Sequence, residues 1–206
     1  MQEESRKKYE GRQAERTART RAALIAAARR LFASRGYAET ATPDIVREAG
    51  VTRGALYHHF HDKQDLFRVV LEAEQQAIQA HIEADTRGDG DPISELMEGS
   101  LAFFDAAADP GTKRIVFLDG PAVLGWAEWR EIDGRYATRA LRDGLDAAMR
   151  AGMIRKLPLD PLTRLLSAAF NEAALGLGEP GGGLDREEIL ATFRALFEGL
   201  RGEPRP

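Results

Sequence analysis

The chain of 206 residues is expected to be all-α, with a three-helix N-terminal domain followed by a larger helical domain. Three observations lead there. Apolar residues recur at intervals of three and four along most of the chain, the period of an amphipathic helix. No stretch alternates β-branched and polar residues as a half-buried strand does. Charge also divides the chain. Residues 1–68 carry 14 Lys+Arg against 9 Asp+Glu, net +5, while residues 69–206 carry 15 against 24, net −9. The overall −4 therefore conceals a basic module on an acidic body, the asymmetry that suggests a polyanion-binding unit.

The elements follow in order. Residues 1–18 are polar and lack apolar periodicity, so a flexible basic arm is expected. From Arg19, Leu24, Ile25, Ala28, Leu31 and Phe32 fall at helical spacing, and Gly36 supplies a stop. Thr42 reads as an N-cap with Pro43 at the first helical position, opening a short helix that Gly50 ends in a position suited to positive φ. Thr52 reads as the next N-cap, for a very short helix from Arg53 to about His59. Asp62, with Asp65 three residues on, resembles a capping box for a long helix to about Ala84. TRGDGDP (86–92) breaks that helix. Further helices are expected over Pro92 to about Ala108, a short apolar piece Arg114–Asp119, Trp126 to about Arg150, Pro161 to about Leu177, and Asp185 to about Leu200. Asp109-Pro110-Gly111, Gly120-Pro121, Gly125 and EPGGG (179–183) punctuate them. The domain boundaries read as 1–18 (arm), 19–65 and 66–206.

Two helices joined by the tight Ala49-Gly50-Val51 turn, the second very short, make a helix-turn-helix. In that motif the last helix offers its N-terminal residues to base edges in the major groove. Thr52, Arg53 and Gly54 stand at that end. Thr and Arg can donate to phosphates or bases, and Gly54 and Ala55 let the backbone lie close to the groove. Tyr57 can give its hydroxyl to a phosphate, and Lys63 sits in a helix first turn that favours anions.

The run TATPDIVREAGVTRGALYHHFHDKQDLF (40–67) resembles the DNA-binding signature of the TetR family of transcriptional regulators. The markers are Ile45, the Ala49-Gly50-Val51 turn, Thr52, Gly54, Tyr57 with Phe60, Lys63 and Leu66-Phe67, preceded by LFASRGY (31–37). The resemblance covers about residues 20–70. It implies a homodimeric repressor with a helix-turn-helix DNA-binding domain, a C-terminal ligand-binding and dimerisation domain, a palindromic operator in double-stranded DNA, and release by a small-molecule effector. Carried over by position, Thr42, Tyr57 and Lys63 would contact phosphates. Arg53, Gly54, Ala55 and His58 would lie at or near bases, with Thr52 as cap and phosphate donor. Ala41 departs from the pattern, since many relatives carry a second Thr there. Arg16, Arg19 and Arg21 either reach the groove or backbone or form a solvated tail.

In the second domain, aromatic residues and helix interruptions suggest a cavity for a small apolar or amphipathic ligand. The expected lining is Met97, Leu101, Phe104, Phe117, Leu118, Trp126, Trp129, Tyr136, Phe170 and Asn171. Asn171 stands out as the polar residue on an otherwise apolar helix. Apolar stripes on the last two helices suggest a four-helix dimer interface built from Leu162, Leu165, Ala169, Ala173, Phe193, Leu196, Phe197 and Leu200. Dimerisation also suits a short recognition helix, which reads few bases alone.

Other readings are weaker. No metal-spaced His/Glu cluster, GxSxG elbow or phosphate loop argues for an enzyme. The triplet His58, His59, His61 spans a helix break, so neither a metal nor a cofactor is expected. The absence of cysteine excludes disulfides and thiolate zinc sites. No apolar run nears the ~20 residues that span a bilayer, and a cytoplasmic location is expected, with no membrane partner. A ligand-independent regulator, or an activator, remains an alternative to a ligand-released repressor.

Overall fold

A computed structural model describes residues 2–86, 88, 90–177 and 183–201, with the side chains of residues 2–10 outside the description. Among the described residues every regular element is helical, and the other pairings are isolated bridges, Ile154 with Arg201 and Leu177 with Leu184. The expected loop at 179–183 lies outside the described residues except at Gly183, as do positions 87 and 89 of the expected break at 86–92. The chain forms two compact units, residues 1–71 and 72–206, a boundary a few residues beyond the one expected at 65.

The first unit holds α1 (Gln2–Arg35), α2 (Thr42–Ala49), α3 (Arg53–His59) and the start of α4 (Lys63–Asp85). Helix α1 begins at Gln2 where a loose arm was expected. Glu, Gln, Lys, Arg and Ala dominate that stretch, all good helix formers with little rotamer freedom to lose, and helix propensity there outweighs the lack of an apolar stripe. The core is small and aromatic. Leu24, Phe32, Ile45, Leu56, Leu66 and Phe67 have no solvent exposure, each contributing about 1.5–3 kcal/mol of apolar transfer for the larger side chains. Phe67 meets Phe32 and Tyr37 edge-on, with centroids 5.2 and 5.1 Å apart. Arg30 pairs with Glu48 at 3.0 Å across α1 and α2.

The second unit contains the rest of α4, then α5 (Pro92–Ala107), α6 (Pro110–Lys113), a π-helical segment (Arg114–Asp119), α7 (Gly120–Leu124), α8 (Trp126–Arg135), α9 (Ala137–Arg150), α10 (Leu159–Gly176) and α11 (Arg186–Gly199). Aspartates start several of these helices by capping. Asp91 accepts from Ile93 N and Ser94 N, Asp109 from Thr112 N, and Asp185 from Glu187 N and Glu188 N. The single stretch expected from Trp126 to Arg150 is broken at Tyr136, whose φ of −120° and ψ of −109° leave the helical region. The aromatics pack together tightly. Phe170 and Phe193 stack with centroids 4.0 Å apart, and Phe104 lies 5.4 Å from Phe170. Trp129 donates its indole N–H to the Val116 carbonyl at 2.7 Å, giving a buried partner to the π-helical segment.

Candidate functional site

The exposed corner of the first unit is built by the turn between α2 and α3. Gly50 sits at φ 66°, the left-handed conformation that ends a helix without a Cβ penalty. Its N–H donates to the Arg47 carbonyl and that of Val51 to the Val46 carbonyl, both at 3.2 Å. Thr52 restarts the helix by accepting from Ala55 N at 3.2 Å. The expected cap at Thr42 is displaced by one residue. Ala41 occupies the N-cap with extended backbone and no side-chain bond, Thr42 becomes the first helical residue, and Pro43 follows. Pro43 tolerates the second position as well as the first, because the N–H it lacks is unpaired there too.

Leu56 and Phe60 anchor α3 in the core, which leaves Thr52, Arg53, Gly54, Tyr57 and His58 exposed and Ala55 half-buried. Three of the residues expected at DNA converge. Interaction first with Thr42 and then with Arg53 holds the Tyr57 phenol below its ordinary range. The Arg53 guanidinium carbon also lies 5.5 Å from the Tyr57 ring centroid. Gly54 has no internal reason to be glycine. A Cβ there would meet nothing nearer than Thr52 Oγ1 at 3.9 Å, and its φ is not in the positive region.

Lys63 has partners inside the unit. Its ammonium donates to the carbonyls of Tyr37 and Thr40 at 2.9 and 3.0 Å and lies 3.9 Å from the Tyr37 ring centroid. Partial burial lowers its pKa. It therefore ties the 37–40 loop to the start of α4, leaving one donor of three uncommitted by those bonds, where a phosphate contact alone was expected. Asp62 accepts from Asp65 N at 2.8 Å and Asp65 from His61 N at 3.0 Å, a near capping box. Arg16 and Arg19 are exposed on α1, and the Arg21 guanidinium carbon lies 5.3 Å from the Phe60 ring. His58 and His59 stack edge-on at 5.2 Å, and burial, with His58 and Arg21 nearby, lowers the pKa of His59. Among the described residues no cluster has metal-ligating spacing.

The second unit contains a cavity of about 310 Å³, at the lower end of small-molecule sites. It lies among the end of α4, α5, α9 and α10, with Asp133 of α8. Phe170 and Asn171 line it as expected, and Phe103 lines it in place of Phe104. The other expected residues are elsewhere. Phe104, Phe117 and Trp129 are core, Met97 and Tyr136 are half-buried, and Leu101, Leu118 and Trp126 are exposed, Trp126 by 64%. The reason is volume: large rings interlock and fill space, whereas the opening forms where small residues face one another. Gly99 and Ser100 of α5 and Ala137, Ala140, Gly144 and Ala147 of α9 share the lining, Gly99 towards Ile82 and Thr86 and Gly144 towards Leu96. That α9 series, at intervals of three and four, is the sequence signal that marks the cavity.

One wall is polar. Asp133, 2% exposed, accepts from Thr138 Oγ1 at 2.7 Å and from Arg130 at 3.2 Å. Burial raises its pKa against those bonds. Beside it, Asn171 is 9% exposed and its buried Nδ2 has no hydrogen-bond partner.

The residues expected at a dimer interface divide in two. Leu165 is 72% and Leu196 46% exposed, and Leu162, Ala169 and Leu200 are half-buried. Ala173, Phe193 and Phe197 are instead core, because Phe193 and its neighbours are consumed by the aromatic stack with Phe104 and Phe170.

Residues 24–70 match the tetR family of bacterial regulatory proteins, and residues 93–200 match the tetracyclin repressor-like C-terminal domain. The chain belongs to the TetR family of transcriptional regulators. Among TetR-family relatives, SrpR of Pseudomonas putida is 34% identical over 184 residues, covering 88% of this chain and 73% of SrpR. AcrR of Shigella flexneri is 35% identical over 98 residues, 47% of this chain and 46% of AcrR, so this match spans about half of each. A TetR-family regulator from Pectobacterium atrosepticum, solved as a crystal structure, is 32% identical with a TM-score of 0.73, covering 93% of this chain and 98% of that one. Among the described residues no helix is long and apolar enough to cross a membrane.

Proposed function

We propose that this chain is a DNA-binding repressor that acts as a homodimer on a palindromic operator and leaves it when a small amphipathic ligand enters the cavity of the second unit. The observation that carries the DNA half is the α3 surface. Arg53 lies over the Tyr57 ring at 5.5 Å, Thr42 and Arg53 both lower the pKa of that phenol, and beside them stands an exposed glycine that nothing inside the protein requires. Arg53 then reads base edges, with Gly54 and Ala55 allowing close approach, while Thr42, Thr52 and Tyr57 hold phosphates and His58 lies at the edge of the reading surface. Lys63 acts chiefly by fixing the loop before α2, and its remaining donor is available to a phosphate.

The open face of α10 and α11, with Leu165 and Leu196 exposed, supports pairing with a second copy. Ile82 and Glu83 of α4 line the cavity, and the same helix begins at Lys63. A ligand that displaces the end of α4 can thus alter operator affinity, by no more than its differential affinity for the two states. A built cavity with an unpaired amide favours this over a ligand-independent regulator. Selection of DNA bound by the full chain from a random pool tests the reading. It should enrich an inverted repeat with half-sites about 34 Å apart or a multiple of that. Enrichment of a single asymmetric site, or of none, contradicts it.

A further inference from the structure

We infer that the cavity of the second unit takes a cationic amphiphile, with an apolar body, a hydrogen-bond acceptor at the buried end and an amine at the rim. This rests on the proposed ligand-binding role and specifies the ligand's chemistry. The ionisable residues among the described lining are Glu83, Glu95, Asp133 and Asp143, all acidic. Asp133 is already matched inside the protein by Arg130 at 3.2 Å and by the Thr138 hydroxyl. Arg130 is committed in turn, since its guanidinium also donates to Ser167 Oγ at 3.2 Å. It is not free to receive a ligand carboxylate.

The other three acids stand toward solvent, Glu83 and Asp143 exposed and Glu95 half-buried. Glu95 accepts from Gly90 N and Glu83 from Gln79 Nε2, neither of which brings a charge. Asp143 has Arg139 at 3.9 Å, with both side chains mostly exposed, a geometry that contributes little. Even with Arg139 set against Asp143, the described part of the rim is net negative. It attracts an ammonium and repels a carboxylate, most strongly where the cavity wall excludes water.

The inner end is independent evidence that something binds. Buried polar atoms are as a rule paired, yet Asn171 Nδ2 is buried, without a partner, on a residue that lines the cavity. The atom is closed to the cavity as the side chain stands, and an acceptor on a ligand would complete it once the amide turns into the cavity. Ile82, Leu96, Phe103, Leu141 and Phe170 supply the apolar wall between the two ends.

A matched probe set tests this on the full chain: 4-(4-methoxyphenyl)butylamine, the corresponding butanol and the corresponding butanoate, titrated calorimetrically at neutral pH. The affinity order should be amine, alcohol, carboxylate, with the amine at least about tenfold tighter than the carboxylate. In the triple variant Glu83→Gln, Glu95→Gln, Asp143→Asn the order should collapse. The methoxy amine should also bind about fivefold tighter than 4-phenylbutylamine, a preference that Asn171→Leu removes. Carboxylate binding as tight as the amine, or no binding by any of the three, overturns the proposal. Equal affinity for the two amines overturns the part given to Asn171. If the amine binds as expected but leaves operator affinity unchanged, the ligand class stands and the ligand-released regulator falls.

Discussion

Replacing Asn171 by leucine should make the free protein more stable and less responsive. The amide is 9% exposed and its Nδ2 makes no hydrogen bond, so folding strips it of water without return. An unsatisfied buried group of this kind costs about 1–3 kcal/mol. Leucine has the same branching and no polar atom, and the cavity that Asn171 lines has room for its larger methyl groups, so Asn171→Leu should recover most of that. For a chain of this size 1 kcal/mol moves Tm by roughly 2–4 °C, which gives a rise of roughly 2–12 °C. Thermal unfolding followed by circular dichroism reads the first effect, and ligand-dependent loss of operator binding reads the second. A core residue selected for packing would show the opposite sign. If Asn171→Leu lowers Tm, the amide is serving the fold, and the reasoning that assigns it to a ligand fails.

Other substitutions probe the first unit and the buried carboxylate. Lys63→Met removes two bonds to the Tyr37 and Thr40 carbonyls and should cost about 1.5–3 kcal/mol in urea unfolding; unchanged stability would mean the ammonium is not held there. Ala41→Ser gives α2 the cap it lacks and should raise Tm by roughly 2–4 °C, whereas a fall would misplace the cap. Burial raises the pKa of Asp133, so the folded state holds that proton more tightly than the unfolded chain. The stability it lends is full below the ordinary carboxylate pKa and is lost as pH rises through the raised value. Wild type should therefore gain on Asp133→Asn as pH falls from neutral towards about 4, and a difference independent of pH would contradict the shift.

What could be read from sequence follows from the range of the forces involved. Thr52 as a cap, Gly50 at positive φ and the Arg53–His59 helix are decided within a few residues, and all three were legible. Ala41 taking the cap from Thr42 is also local, but Pro43 fits either register and left the choice open. Lys63 turned inward because Tyr37 and Thr40, more than twenty residues away, present their carbonyls to it, a contact that spacing along the helix does not reveal. The aromatics between Phe104 and Phe170 suggest a cavity from sequence, yet Phe104, Phe117 and Trp129 fill their own space as core, with Trp129 closing on Val116. Small residues on α5 and α9 make the opening. Of the expected lining only Phe170 and Asn171 border it, and Asn171 is conspicuous without any tertiary knowledge because it is a polar group on an apolar helix. Ala173, Phe193 and Phe197 form part of an apolar stripe that sequence cannot divide between a unit's own core and a partner's.

If the exposed end of α3 is shaped for DNA and not for the fold, Gly54→Ala should separate the two. The added methyl meets only Thr52 Oγ1, in ordinary contact at 3.9 Å, and alanine is up to about 1 kcal/mol more favourable than glycine in a helix. Tm should hold or rise while operator affinity falls by about tenfold or more, as expected when a close contact to bases is lost. A variant that binds its operator as tightly as wild type, or that loses affinity only because it unfolds, would contradict the account.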